Sequence, residues 1–202
     1  MLFRKLKAKN SGFTLVEVLV IIFLIGIISA TAYQAFAVSL REYFGLHENT
    51  LKSGELALNS QRVATVLRGA TDIVAVDAND LTVYAYFSPE DTYVSLVHYY
   101  LNAQNTQLLV DITPMTANPP TGVPIEEEQR SYTIIENYFK KPGLDLFAYL
   151  DASGSDLNLP IADLNSIKGI RVNLAVPIDY PTEGSSQQLS LEVNLRNRKT
   201  NL

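Results

Sequence analysis

The residues Lys9-Asn10-Ser11-Gly12-Phe13-Thr14-Leu15-Val16-Glu17-Val18-Leu19-Val20 decide how the chain is read. Ahead of Phe13, residues 1–12 hold Arg4, Lys5, Lys7 and Lys9 and no acid, a charge of +4. Behind it the apolar run continues to Val38, and across those 26 residues the only charge is Glu17. As a helix rising 1.5 Å per residue the run covers roughly 39 Å, enough for a hydrocarbon core of about 30 Å. The expectation is a single membrane span over 13–38, with the basic start cytoplasmic and everything beyond outside. A secretory signal peptide does not fit, because its apolar core is only about 7–15 residues long. A plain anchor accommodates the length but leaves Glu17 unexplained, since an unpaired carboxylate at membrane depth is costly. After Lys9 no cation follows within reach on the same helix.

Charge is segregated in the rest of the chain too. The 202 residues sum to −5, from 16 Lys+Arg and 21 Asp+Glu. Removing the four basic residues at the start leaves 12 against 21, a charge of −9 for residues 13–202. That acidity argues against a nucleic-acid-binding surface, which requires a basic patch. The absence of cysteine excludes disulfides, thiolate metal sites and Cys nucleophiles, and two histidines do not make a His-rich metal centre.

The order of basic leader, Gly12, Phe13, Thr14-Leu15, Glu17 and apolar helix resembles the processing site of type IV prepilins and type II secretion pseudopilins. The resemblance implies that prepilin peptidase cleaves between Gly12 and Phe13 and that Phe13 is then N-methylated. It also implies a role for Glu17 in assembly: the new α-ammonium of Phe13 pairs with the Glu17 carboxylate of a neighbouring subunit and sets register. Gly12, lacking a side chain, lets the peptidase approach the backbone. Many members carry a helix-kinking Pro within the span, whereas this span reads Gly26-Ile27-Ile28-Ser29-Ala30-Thr31-Ala32-Tyr33-Gln34 without one.

Beyond the span, 39–70 lacks Pro, and Leu40, Phe44, Leu51 and Leu58 fall within about 40° of one another at the helical period. Arg41, Glu48, Lys52 and Glu55 occupy another sector. Val63, Val66 and Ala70 are read as continuing the apolar face with a drift. One helix from about Phe13 to Arg68 is predicted, its second half laid against a sheet.

After Gly69 the period becomes two. Leu81, Val83, Ala85 and Phe87 alternate with Thr82, Tyr84 and Tyr86, and similar runs occupy 93–101, 107–113, 132–136, 144–150, 167–176 and 189–195. Short turns at 88–91 and 102–106 make the first three an antiparallel meander, while 114–130, with its prolines and Glu126-Glu127-Glu128, reads as a loop whose acidic triplet is solvated. The predicted fold is α+β and pilin-like: leader 1–12, membrane half 13–38, amphipathic half 39–70 and a β-rich globular domain over 71–202. Within the family the globular part is most similar to J-type minor pseudopilins and related minor pilins. The segments that carry this likeness are Arg62–Asp72, Leu146–Gly154, Ile167–Leu174 and Leu191–Asn197.

Catalytic patterns are missing: there is no Gly-x-Ser-x-Gly, no His-Glu-x-x-His and no phosphate-binding glycine loop. His47 and His98 read as a helix-surface and a sheet-face residue, and Glu90 and Asp91 as turn residues. The nearest approach to a ligand site is Asp151-Ala-Ser-Gly-Ser-Asp-Leu-Asn158, where Asp151, Ser153, Asp156 and Asn158 alternate oxygen donors around a glycine. It lacks the spacing and terminal Glu of a calcium loop, so a turn is preferred. Eleven tyrosines could form a contact surface for sugars or other subunits, but tyrosine is equally at home on solvent-facing strands.

The resemblance makes the chain a non-enzymatic structural subunit without a cofactor, a minor one near a filament tip. Its implied partners are other pilin-like subunits, the prepilin peptidase and methylase, an inner-membrane assembly platform and, before assembly, membrane lipid. A subunit of a secretion or DNA-uptake pseudopilus stands within the same class. A membrane-anchored binding or sensor protein, or a tethered enzyme, with an uncleaved N-terminus stands outside it.

Overall fold

The computed structural model describes residues 12–88, 90–178 and 185–196. A single helix, α1 (Leu15–Arg68), follows from the unbroken absence of Pro and from the aliphatic run at its start. The chain divides into two units, Met1–Gly45 and Leu46–Leu202. The first contributes the apolar part of α1. The second contains the remainder of the helix and, among the described residues, nine strands.

Five strands form one antiparallel meander in chain order: β1 (Asp72–Val76), β2 (Asp80–Ala85), β3 (Ser95–Leu101), β4 (Leu108–Pro114) and β5 (Arg130–Ile135). A second antiparallel sheet has the order β7-β6-β8-β9, with β6 (Phe147–Leu150), β7 (Asp156–Leu157), β8 (Gly169–Ile178) and β9 (Ser185–Asn194). The long helix packed on antiparallel sheet is the pilin-like α+β architecture expected, with the strands shared between two sheets. The alternation in β2 is as read: Leu81, Val83 and Ala85 are fully buried while Thr82 and Tyr84 are half-exposed.

Two strands were not anticipated. β1 buries only Ile73 and carries a bulge between Ile73 and Ala75, which breaks the period-two signal. β7 is two residues long. The acidic triplet forms an exposed 3-10 turn, Glu126–Glu128. The loop around it is folded on itself, with Thr116 N–H donating to the Val123 carbonyl at 3.0 Å and Val94 N–H reaching the Asn118 side-chain oxygen at 2.9 Å.

The apolar stripe of the second half of α1 requires a correction. Leu51 is 62% exposed and Leu58 70%, and the residues buried in the core are Leu56, Ser60, Val63, Ala64, Val66 and Leu67. Val63 lies about 140° round the helix from Leu58. It therefore begins a second stripe and does not continue the first. With two apolar stripes on one helix, periodicity alone cannot say which faces the sheets.

The two sheets and the helix share one core, in which Leu67, Val83, Val97, Val110, Ile170 and Leu174 are among the buried members. Buried polar groups lock the sheets together. The Tyr149 hydroxyl donates to the Asp77 carbonyl at 2.8 Å, and Phe147 N–H donates to the Ala78 carbonyl at 3.0 Å, tying β6 to the β1–β2 turn. Tyr138 donates through its hydroxyl to the Asn173 carbonyl at 3.3 Å and through its N–H to the Thr106 carbonyl at 2.7 Å. Burial, reinforced by the Asp145 carboxylate, pushes the Tyr138 phenol up to about 12, and burial likewise raises Tyr99 and Tyr149.

Two outcomes are expected. Leu67→Ala should lower unfolding stability in detergent by about 2–5 kcal/mol. Leu58→Ala should change it by no more than about 0.5 kcal/mol, as for other exposed sites, in the same urea titration. The folded pKa of Tyr138 lies above that of the unfolded phenol, near 10. Its stabilising effect is therefore complete below about pH 10 and is lost as pH rises towards about 12. Denaturation midpoints measured across that interval should fall, and less so in Tyr138→Phe.

Candidate functional site

Gly12, Phe13 and Thr14 precede the first helical residue, and Phe13 is 77% exposed. A side chain added at Gly12 would meet nothing within 4 Å. The fold therefore places no steric demand for glycine at this position. The leader residues 1–11, with Arg4, Lys5, Lys7 and Lys9, lie outside the described residues.

The opening turn of α1 is closed by a reciprocal cap. Thr14 is the N-cap, and its hydroxyl accepts from the Glu17 N–H at 3.3 Å. Glu17 returns the contact, its Oε2 accepting from Thr14 N–H at 2.9 Å and from the Thr14 hydroxyl at 2.9 Å. This is the capping box of a Thr-x-x-Glu sequence, which satisfies two of the helix's orphan donors at once. The pattern stood in the sequence, ahead of an apolar run where helix starts are sought. Matching Glu17 to a partner subunit's cation hides this local role. Only Oε2 is used here; Oε1 has no hydrogen-bond partner among the described residues.

Following the cap, the large apolar side chains from Phe13 to Ile28 stay exposed, including Phe23, Ile25 and Ile28. α1 is the one helix among the described residues long and apolar enough to cross a membrane, and none of its most apolar window is buried. Exposed apolar residues continue through Phe36, Leu40, Tyr43 and Phe44 to Leu51 and Leu58.

The other residues singled out in the sequence are engaged locally. One oxygen of Asp151 accepts from Ser153 N–H at 2.8 Å, from the Ser153 hydroxyl at 2.7 Å and from Ser155 N–H at 2.9 Å. The Ser153 hydroxyl and the Ser155 amide hold its carboxyl below the usual carboxylate range. Asp156 lies on β7 and pairs with the Arg171 guanidinium at 2.8 Å, which also binds Glu192 at 2.8 Å. No group of three acidic or histidine side chains able to hold a metal occurs among the described residues. His98 contacts the Asp80 carboxylate through Nε2 at 2.8 Å and stacks on Tyr100 at 4.7 Å, an arrangement across neighbouring strands on the sheet's outer face.

Against known families, residues 7–33 match the prokaryotic N-terminal methylation motif. No curated protein matches the chain. No solved structure matches it either. The chain thus carries the prepilin N-methylation motif on a pilin-like fold, in common with proteins that are structural and non-enzymatic.

The cap predicts a local effect. Thr14→Ala removes the N-cap hydroxyl, so the Glu17 backbone amide, which loses its acceptor, should exchange with solvent faster in hydrogen-exchange NMR of the micelle-bound chain. Amides in the middle of the helix should be unchanged.

Proposed function

We propose that the chain is a minor structural subunit of a type IV pilus or related pseudopilus, of the J type, placed near the filament tip. The observation that carries this is the juxtaposition at the start of α1. An exposed Gly12-Phe13 segment, with no steric need for glycine, leads into a capped apolar helix whose surface the chain itself does not cover. The open surroundings of Gly12 suit a peptidase acting on the backbone between Gly12 and Phe13. The leader 1–12 is then discarded, and Phe13 becomes the methylated N-terminus.

Before assembly, 13–38 sits in the inner membrane with the globular domain 71–202 outside, surrounded by lipid. On assembly at the inner-membrane platform, helices of neighbouring subunits replace lipid as the apolar surroundings, so one surface serves both states. Glu17 then has two duties. Oε2 keeps the helix start capped in its own chain, while Oε1 accepts the α-ammonium of a neighbour's Phe13, offsetting one buried charge with its opposite. The absence of cysteine supports a minor position, since the stapled C-terminal loop of many shaft-building pilins cannot form here.

Mass spectrometry of the N-terminal peptide from peptidase-containing cells should find a chain beginning at Phe13 and carrying one methyl group. An intact Met1 start would instead establish an uncleaved anchor. Capping and pairing are separable by substitution. Glu17→Gln keeps an acceptor for Thr14 and loses the charge, so it should be cleaved normally yet be depleted from sheared filaments. Thr14→Ala keeps the charge and should incorporate. Normal incorporation of Glu17→Gln would remove the pairing role.

A further inference from the structure

The inner face of the first sheet is not wholly covered. Register places Ala85 opposite Ser95, Ser95 opposite Pro114, Ile112 opposite Arg130 and Val110 opposite Tyr132. These residues therefore continue the face on which Val83 and Val97 are completely buried. At the Ser95–Pro114 end the face opens into a cleft of about 410 Å³. That size falls within the roughly 300–1,000 Å³ typical of small-molecule sites.

The cleft is lined by aromatic rings and polar side chains. Phe87 and Tyr132 lie nearly parallel, 13° apart with centroids 6.2 Å from each other, and Arg62 of α1 braces Phe87 at 5.1 Å from the ring centre. Tyr132 and Tyr93 are both exposed, offering ring surface to whatever enters. Ser95 lines the cleft at only 4% exposure, and its hydroxyl makes no hydrogen bond among the described residues. That hydroxyl is therefore open to a hydrogen bond with whatever occupies the cleft. At the rim, the Asp91 carboxylate accepts from Ser88 N–H at 2.9 Å through one oxygen, and the other oxygen has no partner among the described residues. Arg130 makes no ion pair among the described residues.

We infer that this cleft binds a pyranose ring of a neutral glycan. A pyranose presents an apolar face of C–H groups that packs on electron-rich aromatic rings, and an equator of adjacent hydroxyls. A carboxylate and a guanidinium lining one cleft can each bind such hydroxyls, the former accepting and the latter donating, with charge-assisted strength. Asp91 and Arg130 cancel in charge, which selects a neutral sugar over an acidic one. The Ser95 hydroxyl meets a hydroxyl or ring oxygen at the floor. Filament assembly through α1 does not require this site, and the site's test does not depend on assembly.

The test uses the full-length chain in micelles of a non-glycosidic detergent, with the methyl glycosides of glucose, galactose, mannose and N-acetylglucosamine as probes. Saturation-transfer NMR should show transfer to the C–H protons of one ring face of at least one glycoside. Tyr132→Ala and Asp91→Asn should each weaken that binding roughly tenfold. Ser95→Ala, which removes a single oxygen, should weaken it several-fold with unfolding unchanged. Tyr86→Ala, an exposed tyrosine outside the cleft, should bind as the parent does. The inference fails if none of the four glycosides receives saturation at millimolar concentration, or if transfer survives in both Tyr132→Ala and Asp91→Asn. It also fails if a photo-crosslinker at position 132 captures a neighbouring subunit in assembled filaments, which would make the cleft a subunit contact.

Discussion

The feature on which the molecule depends is apolar helix surface that its own chain leaves uncovered. From Phe13 to Ile28 nearly every aliphatic and aromatic side chain of α1 is open. Burying one such side chain is worth about 1.5–3 kcal/mol, so more than ten of them in sequence cannot be left in water. Two surroundings can receive them: hydrocarbon, or other apolar helices. Neither supplies hydrogen bonds to exposed backbone, which makes the helix start the weak point. The Thr14–Glu17 cap answers that need within a single turn. Glu17 thus meets part of its hydrogen-bonding capacity within its own chain, and its second oxygen is what remains for anything further.

The same helix changes its surroundings along its length without a break. Around Leu56 to Leu67 it becomes part of a conventional core, with Val63 and Leu67 fully buried among sheet residues. Small residues on that face, Ser60 and Ala64, allow close approach to the sheets, and Ser60 returns its hydroxyl to the Ala57 carbonyl at 2.8 Å, so no polar atom is stranded. Lys52 and Glu48 pair at 2.9 Å one turn apart, a contact of small energetic weight at the surface. A second apolar stripe through Leu51 and Leu58 faces away from the core. A helix with one buried and one open stripe is able to hold its domain and engage a further partner without rearrangement.

Legibility in the sequence followed the strength of the local signal. The length of α1 could be read, to within about two residues at each end, because the absence of Pro and a long aliphatic run are not ambiguous. The meander of β2 to β4 could be read because Leu81, Val83 and Ala85 alternate cleanly and the turns between strands are short. Sheet membership could not, because which strands pair across long connections is decided by tertiary packing. β1 was hidden by a bulge and by burial of only one residue. The apolar stripe was assigned to the wrong side because two stripes share one period. The methylation motif over residues 7–33 is legible in the linear order of residues, whereas the Thr14–Glu17 cap is hidden when Glu17 is matched to a distant partner. The Ser95 cleft had no linear signature, since its residues come from three strands and two loops.

What holds the domain without disulfides follows from where its polar groups are buried. Tyr149 bridges to the β1–β2 turn, and Tyr138 reaches β8 through the Asn173 carbonyl. Asn173 is itself buried, donating to the Asp145 carbonyl at 2.9 Å and accepting from the Ser190 hydroxyl at 2.6 Å. Each such group, unpaired, would cost more than a typical hydrogen bond returns. Apolar contact between two sheets tolerates sliding, because one aliphatic surface fits another in many ways. Buried donors matched to single acceptors do not tolerate it. The tyrosine and asparagine bridges therefore fix how the second sheet sits on the first, and with it the position of the inner face whose open end forms the Ser95 cleft.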